Sequence, residues 1–488
     1  MKNLLILFSL FTALYTFPQS FELTVSTKRN EAFYYTFENS DSEYISLGGI
    51  SKGIDNWIYA NGLIVKYDNF GNILNYKEFT KEDTTLGFSY GLQKGNGNYF
   101  LIGVMIDSIE SKRYKTYVCE ITPDFELIWE KIYEMQEKYL KQQYTTFLFT
   151  PDSNILITSV TDTSYYSYNH MLYSMSIDIN GDLNFLKFYD QWTGLPYSYI
   201  TLNQDSTEIY LFGEFSRPPY TQYTEFIRFD LEMNILGYIG VIDYDHFITG
   251  PETAKNMPDG NLILANRTSM EPNTLDDLYI KIMDQDFNTL KDTILLYPET
   301  AYLATFQGLD FIDPDKIWVT TFYPTFMSLP GQEVFRVHIF DSNLHLKGVK
   351  EYGGDTHYWL QNTFVTSDGG CLVTGYRKND NKGSYNNDAY VIKVMPEDIL
   401  TNAEETTIDF DKDIIVFPNP FTSEIKVQTL RKSLTFNLFD VKGKQILSTE
   451  LYSLPNSTIQ TGILPAGFYY YAIKDNDLII QTGKLIRK

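Results

Sequence analysis

The sequence predicts an all-β chain: a seven-bladed β-propeller of four-stranded blades, closed by an N-terminal strand and followed by a small C-terminal β-sandwich. Three observations predict it. A turn built on Asp or Asn recurs at Asp41, Asn96, Asp152, Asp205, Asp259, Asp313 and Asp368, at spacings of 55, 56, 53, 54, 54 and 55 residues. A fixed period of that size marks a repeat architecture. Each turn is followed by a short apolar run, such as Tyr44–Leu47, Tyr99–Ile102, Ile209–Phe212 and Cys371–Val373. Aromatic content is high, with 39 Tyr and 34 Phe, and such residues favour strands.

The elements follow in order. Residues 1–20 read as a signal peptide: Lys2, an apolar stretch from Leu4 to Phe17, then small or polar residues up to Ser20. The stretch falls short of the about 20 apolar residues a membrane anchor needs, and no other segment is long and apolar enough to span a bilayer. No Cys follows it, which argues against acylation as a lipoprotein. Residues 21–400 hold the seven units. Strand a precedes the Asp turn, as in Ala32–Glu38, and strand b is the apolar run after it. Strand b is apolar throughout because it is expected to be buried on both faces between neighbouring blades. Strand c alternates and is aromatic, as in Leu63–Tyr67 and Tyr117–Ile121. A second tight turn, such as Asp68-Asn-Phe-Gly71 or Asp178-Ile-Asn-Gly181, leads to strand d, as in Ile73–Phe79, Leu127–Tyr133 and Leu183–Phe188. Asp, Asn and Gly supply local hydrogen bonds and positive φ in such turns. Four short strands with tight turns, repeated, are the signature of a propeller blade. The seventh unit ends after strand c, at Met395, whereas the chain opens with an orphan strand d, Phe21–Ser26. The N-terminal strand is therefore expected to complete the last blade and close the ring, which removes exposed sheet edges.

The units resemble the repeats of secreted Bacteroidetes propeller proteins in Ser367-Asp-Gly-Gly370, Gly375-Tyr376, Asp388–Lys393, Trp129–Tyr133 and Tyr352-Gly-Gly354. Several units lack the Gly pair and the strand d Trp, and the resemblance implies a fold without naming a ligand.

Residues 401–413 are polar and acidic and read as a linker. Residues 414–488 hold about seven short strand segments, which fits a small β-sandwich. Four blocks stand out there: Val416-Phe-Pro-Asn-Pro-Phe421, with Pro418, Asn419 and Pro420; Leu438-Phe-Asp-Val-Lys-Gly-Lys444, with Gly443 and Lys444; Leu464-Pro-Ala-Gly467; and the terminal Gly483-Lys-Leu-Ile-Arg-Lys488, with Lys484, Arg487 and Lys488. In order and spacing they closely resemble the type A-like C-terminal sorting domain of the Bacteroidetes type IX secretion system. The resemblance implies passage through the periplasm, recognition of residues 414–488 by the type IX machinery, and cleavage of the module. The product is then secreted or held at the outer-membrane surface.

Net charge is −23 and unevenly placed: residues 412–488 hold ten Lys/Arg and six Asp/Glu, a net of +4, so residues 1–411 carry −27. That balance excludes a nucleic-acid partner, which needs a basic face, and suits a soluble protein outside the cell. Cys119 and Cys371 fall in units that are not neighbours in a ring and read as free, buried strand residues.

No catalytic signature is present. His-Glu-x-x-His, Gly-x-Ser-x-Gly and a phosphate-binding glycine loop are all missing, so no cofactor or metal is expected. His338 and His345 flank one turn and read as exposed turn histidines rather than a zinc pair. Asp178–Asp182 and Asp380–Gly383 look like fragments of calcium loops but read as stabilised turns. Connections a–b and c–d are tight, whereas b–c and d–a are long and should emerge together on the opposite face, where binding usually resides. Those loops are aromatic, at Tyr199, Tyr376 and Tyr385 among others, and Tyr165, Tyr166, Tyr168, Trp192, Tyr197, Tyr220, Tyr223, Tyr323 and Phe326 are the candidate binding residues. Exposed aromatics suit a glycan or an extracellular protein ligand. The expected function is a non-catalytic binding or adhesion propeller. The alternatives are an extracellular hydrolase or lyase acting on polysaccharide, with carboxylates paired across the axis, and a structural scaffold without a small ligand.

Overall fold

The computed structural model describes residues 19–53, 56–107, 114–134, 141–162, 171–216, 223–240, 247–248, 253–269, 277–295, 302–305, 307–322, 334–379, 387–400, 414–429, 434–451, 456–462, 464–475 and 478–488. The chain divides into two compact units, Met1–Asn402 and Ala403–Lys488.

The larger unit is built of short antiparallel strands. It opens with β1 (Phe21–Val25). The first set is β2 (Glu31–Glu38), β3 (Tyr44–Gly53), β4 (Asn56–Tyr67) and β5 (Ile73–Phe79). The second is β6 (Thr85–Gln93), β7 (Tyr99–Ile106), β8 (Tyr114–Ile121) and β9 (Leu127–Glu134). The third is β10 (Lys141–Phe149), β11 (Ile155–Asp162), β12 (Met171–Ile177) and β13 (Leu183–Leu202). β13 also begins the fourth, with β14 (Glu208–Ser216), β15 (Tyr223–Asp230) and β16 (Ile235–Gly240). The fifth is β17 (Phe247–Ile248), β18 (Thr253–Asn256), β19 (Leu262–Ser269), β20 (Asp277–Met283) and β21 (Thr289–Leu295). The sixth is β22 (Tyr302–Leu303), β23 (Leu309–Asp310), β24 (Ile317–Phe322), β25 (Val334–Phe340) and β26 (Leu346–Gly353). The last is β27 (Tyr358–Val365), β28 (Cys371–Lys378) and β29 (Asn387–Val394), followed by the short helix α1 (Pro396–Leu400).

Within each set the strands pair in chain order, a–b–c–d. In the fifth and sixth sets strand a is split into two pieces that share one partner, β19 or β24. Among the described residues the last set has no fourth strand of its own. Its sheet runs β1-β29-β28-β27, with Leu23 opposite Val391.

Burial explains the pattern. Along the central strands nearly every residue is buried, as in Ile317–Phe322 of β24 and Asp277–Met283 of β20. Outer strands such as β5, β9 and β21 are largely exposed. Strand c, expected to alternate, is therefore covered almost as fully as strand b. The apolar clusters show what covers it, since most of them join two consecutive sets. One joins Ile45, Leu47 and Ile64 to Leu86, Phe88 and Tyr117; another joins Tyr210, Phe212 and Phe226 to Leu262 and Leu264. The core lies between sheets, not within one.

Most of the tight turns, a–b and c–d alike, are five-residue loops closed by one left-handed residue. Asp68 Oδ1 accepts the amides of Phe70 (2.9 Å) and Asn72 (2.8 Å), and the Gly71 amide donates to the Asp68 carbonyl (3.0 Å) at φ +83°. Asp178, Asp230, Asp284 and Asp341 accept from their own turn amides in the same way, and Thr122 substitutes with its hydroxyl. In the a–b turns at Asn96, Asp259 and Asp368 the acceptor sits two residues later, whereas Asn39 and Asn203 accept from the first position. Ser42, Ser153, Met233 and Leu344 hold the left-handed position without being glycine, at a cost of roughly 1–2 kcal/mol each.

Charge then ties each turn to its sheet. The end of strand c supplies Lys66 to Glu43 (3.2 Å), Glu120 to Lys94 (2.7 Å), Arg228 to Glu208 (2.7 Å) and Lys393 to Asp368. Burial raises the Glu120 carboxyl, but donors from Lys94, Asn98, Trp129 and Asn96 reverse this and hold it down at about 2. A second series links neighbouring sets. Lys77 reaches Glu126 (2.9 Å), Lys131 reaches Asp182 (2.5 Å), Lys187 reaches Asn234 (2.8 Å) and Lys291 reaches Asn343 (2.6 Å). Exposed pairs of this kind are worth under about 1 kcal/mol each, so they set alignment more than stability.

The first and last sets share a core of Phe33, Leu63 and Val65 with Leu372, Ala389 and Val391, against which Phe21, Leu23 and Val25 pack. Polar contacts cross the same boundary. The Thr36 and Thr374 hydroxyls lie 2.8 Å apart, Asn362 Oδ1 accepts the Thr36 amide (3.2 Å), and Lys393 Nζ donates to the Tyr44 hydroxyl (2.8 Å). Ser20 Oγ accepts the Met395 amide (3.1 Å), so the start of the described chain is fixed at the end of β29.

Three expectations need correction. First, no loop separates strand d of the third unit from strand a of the fourth. β13 runs through both, with a register shift between Gly194 and Ser198, and a seven-stranded sheet results. Second, the b–c connection of the first unit is only two residues long, between Gly53 and Asn56. Third, His338 is fully buried in β25, where its Nδ1 lies 2.9 Å from the Val319 carbonyl; only His345 is an exposed turn residue. Both cysteines are buried and free.

The smaller unit holds β30 (Ile414–Phe417), β31 (Glu424–Thr429), β32 (Leu434–Phe439), β33 (Gln445–Leu451), β34 (Asn456–Gln460), β35 (Gly467–Asp475) and β36 (Leu478–Arg487). They form two sheets, β30-β31-β34 and β33-β32-β35-β36. One core joins them, with Ile425, Val427 and Ile459 from the first and Phe436, Leu438, Tyr471, Ile473 and Leu485 from the second.

The pairing of β1 is open to measurement. The Phe21 ring stands edge-on to Tyr67 (5.9 Å) and near Tyr44 (6.3 Å). Phe21→Ala is expected to lower unfolding stability by about 2 kcal/mol, less than for a fully buried Phe because the ring is half covered. Leu74→Ser, on the exposed outer strand β5, is expected to change the denaturant midpoint little. Equal midpoints for Phe21→Ala and the parent chain would remove β1 from the core.

Candidate functional site

In an a–b–c–d antiparallel set, the a–b and c–d turns leave at one end and the b–c and d–a connections at the other. Of the aromatic candidates on that second end, Tyr165, Tyr166, Tyr168, Tyr220, Tyr323 and Phe326 lie outside the described residues. Trp192 and Tyr197 fall within β13, not in a loop, and Tyr223 is the first residue of β15, opposite Phe215.

The described residues bring together another aromatic group at the same end, of which the sequence points to Tyr376 alone. Tyr302 begins strand a of the sixth set and pairs with Phe322, which ends strand b; Trp359 and Tyr376 are the corresponding pair of the last set. Ring centroids run Tyr302–Phe322 6.1 Å, Phe322–Trp359 5.6 Å and Trp359–Tyr376 6.4 Å, the last two rings parallel to within 1°. Arg267 lies over Tyr302, its guanidinium 4.4 Å from the ring centre, and Trp359 Nε1 donates to Thr305 Oγ1 (3.3 Å). Phe322 is buried, whereas Tyr302, Trp359 and Tyr376 are half-buried. The sequence signal for this array is an aromatic opening strand a and another 17 or 20 residues later closing strand b. It is easily mistaken for ordinary core.

Among the described residues no three His, Cys, Asp or Glu side chains cluster as metal ligands. Burial depresses the His338 imidazole to about 4, its hydrogen bond to the Val319 carbonyl opposing this only in part. The neutral ring thus belongs to the folded state. Above about pH 6.5 the ring is neutral folded and unfolded and costs nothing. Between about 6.5 and 4 only the unfolded chain takes up the proton, so stability falls with pH. The loss reaches roughly 3 kcal/mol, because each tenfold difference in proton affinity between the folded and unfolded chain is worth about 1.4 kcal/mol.

The sorting blocks meet at one edge of the small module. β36 is an outer strand of its sheet. Asn419 lies beside it and acts as a surrogate strand: its Nδ2 donates to the Lys484 carbonyl (3.0 Å) and its Oδ1 accepts the Ile486 amide (2.8 Å). The Phe421 amide donates to the Ile486 carbonyl (2.8 Å), and the Lys488 amide returns to the Phe421 carbonyl (3.0 Å). Arg487 Nε donates to the Thr422 carbonyl (2.7 Å). Pro418 and Pro420, which flank Asn419, are exposed and have no amide to offer a further strand. Gly443 closes the Asp440–Lys444 turn at φ +78°, with Lys444 exposed beside it. Gly483 faces Tyr471 so closely that a Cβ would lie 2.4 Å from its ring. Gly467 begins β35 opposite Arg487. The first and last motifs of the module are therefore one structural device.

Residues 415–488 match the secretion-system C-terminal sorting domain. No curated protein matches the chain. Among solved structures it is similar to a protein of unknown function from Dyadobacter fermentans, at 12% identity over 76% of this chain and 98% of that one, with a TM-score of 0.39. It is similar also to the polysaccharide lyase Uly1, at 9% identity over 77% and 99% with a TM-score of 0.43. A third is a PL25 ulvan lyase bound to -[GlcA(1-4)Rha3S]-, at 8% identity over 76% and 96% with a TM-score of 0.47. None of the three brings a substrate to this chain. No helix among the described residues is long and apolar enough to cross a membrane. The C-terminal module marks the chain for export by type IX secretion, to the cell surface or the medium.

Two measurements follow. His338→Leu is expected to flatten the loss of stability between pH 6.5 and 4 relative to the parent chain; parallel curves would show that the ring is not buried neutral. Asn419→Ala removes two hydrogen bonds to β36, each worth about 1 kcal/mol. Limited proteolysis of the full chain should then cut within Gly483–Lys488 several-fold faster, and an unchanged rate would exclude the latch.

Proposed function

We propose that the chain is a seven-bladed β-propeller, closed by its N-terminal strand, that type IX secretion exports to act as a non-catalytic binding or adhesion module. Its ligand, a glycan or an extracellular protein, is taken on the face where the b–c and d–a connections emerge. The observation that carries the binding reading is the array Tyr302, Phe322, Trp359 and Tyr376, which spans two sets at that end and is flanked by Arg267. Flat half-buried rings offer large contact area at little entropic cost, which suits the apolar faces of sugars and protein side chains alike. Closure is supported by the sheet β1-β29-β28-β27 and by the core the first and last sets share. The acidic body, −27 over residues 1–411, keeps such a module soluble once released.

The full chain should be screened on glycan and matrix-protein arrays, with a product assay on every ligand retained. Trp359→Ala and Tyr376→Ala are each expected to weaken binding by roughly 1 kcal/mol or more with the fold intact. Asn96→Ala, on the turn face, should lower stability and leave affinity unchanged. Equal losses from both faces would refute the assigned site, and turnover of the bound ligand would refute the non-catalytic reading.

A further inference from the structure

We infer that the outward face of the four-stranded sheet in the sorting module, centred on Phe468, Tyr470 and Lys484, is the surface by which the export machinery grips this chain. β35 reads Gly-Phe-Tyr-Tyr-Tyr, and its alternation divides the rings. Tyr469 and Tyr471 enter the core, whereas Phe468 and Tyr470 face outward, each 49% exposed. Register extends the patch across the sheet: Phe468 lies opposite Ile486, and Tyr470 lies between Lys484 on β36 and Phe439 on β32. Lys484 Nζ sits 4.0 Å from the centre of the Phe468 ring, so the cation rests on the aromatic surface.

A water-facing sheet surface is ordinarily polar. Adjacent half-exposed rings on a module this small mark an interaction surface, since aromatics are enriched at the centres of protein interfaces. The module's role is to be recognised for export, which names the occupant. The patch fits a partner surface with an apolar floor and carboxylates at its border to meet Lys484. Capture of β36 by strand addition is disfavoured, because the outward polar groups of Lys484, Ile486 and Lys488 are already taken by Asn419 and Phe421. The face remains available where the edge is latched.

The test uses the full chain in cells with intact secretion. Phe468→Ser/Tyr470→Ser is expected to reduce the extracellular or surface fraction at least ten-fold, with the protein accumulating in the periplasm. Lys484→Glu, which keeps both rings, should reduce it several-fold. Phe468→Trp/Tyr470→Phe should restore export, and Leu74→Ser, an exposed apolar residue on β5 outside the sorting module, should leave it unchanged. Unfolding of the purified variants shows whether the module still folds; if the double Ser variant does not, Lys484→Glu decides. Normal export of Lys484→Glu overturns the inference. So does an equal loss from Leu74→Ser, or a shift in unfolding of the larger unit in the Lys484→Glu variant.

Discussion

A four-stranded sheet whose two central strands are apolar on both faces cannot stand in water alone. It must have another sheet against each side. That constraint governs the larger unit. Its apolar clusters lie between consecutive sets, and its outer strands carry the exposed residues. A row of such sheets leaves two faces uncovered, one on the first and one on the last. Here Phe33, Leu63 and Val65 meet Leu372, Ala389 and Val391, and β1 is the outer strand of the last sheet. The ion pairs along strands c and d decorate an arrangement that burial has already dictated.

Much of this was legible because the turns are chemically demanding. A five-residue loop with a left-handed closing residue selects Asp, Asn, Ser and Gly at fixed places, so its period survives where strand sequences drift. The sixth a–b turn keeps Asp313 although strand a there is reduced to β22 and β23. Less legible was anything that depends on a neighbouring sheet. Strand c looked half-buried because its own alternation is visible, whereas the set that covers its second face lies about 55 residues away. His338 sits next to a turn in sequence, but its side chain points at Val319 across the sheet. The continuity of β13 was hidden because Gly194 and Pro196 suggest a loop, while the structure absorbs them in a register shift.

The candidate site shows the same division. Tyr302, Trp359 and Tyr376 are half-buried only because they close one end of their strands, and sequence cannot separate that from core packing. The sorting module was easier to read. Its motifs carry prolines, glycines and a charged terminus whose spacing persists. What the spacing concealed is that Asn419 and Phe421 hold the last strand, so the terminal basic residues also stabilise the fold. Deleting Lys484–Lys488 therefore removes the edge latch together with the charges, and point variants are needed to separate signal from structure. The module read for export, at +4, differs electrostatically from the body it follows, at −27.

Native-state hydrogen exchange of Phe21–Val25 tests the central claim most directly. If β1 is the fourth strand of the last sheet, its paired amides should exchange only with global unfolding of the larger unit, in step with those of Asn387–Val394 on β29. Rapid exchange of Phe21–Val25 while β29 stays protected would contradict the account, leaving β1 as a loosely attached leader and the last set an open three-stranded sheet.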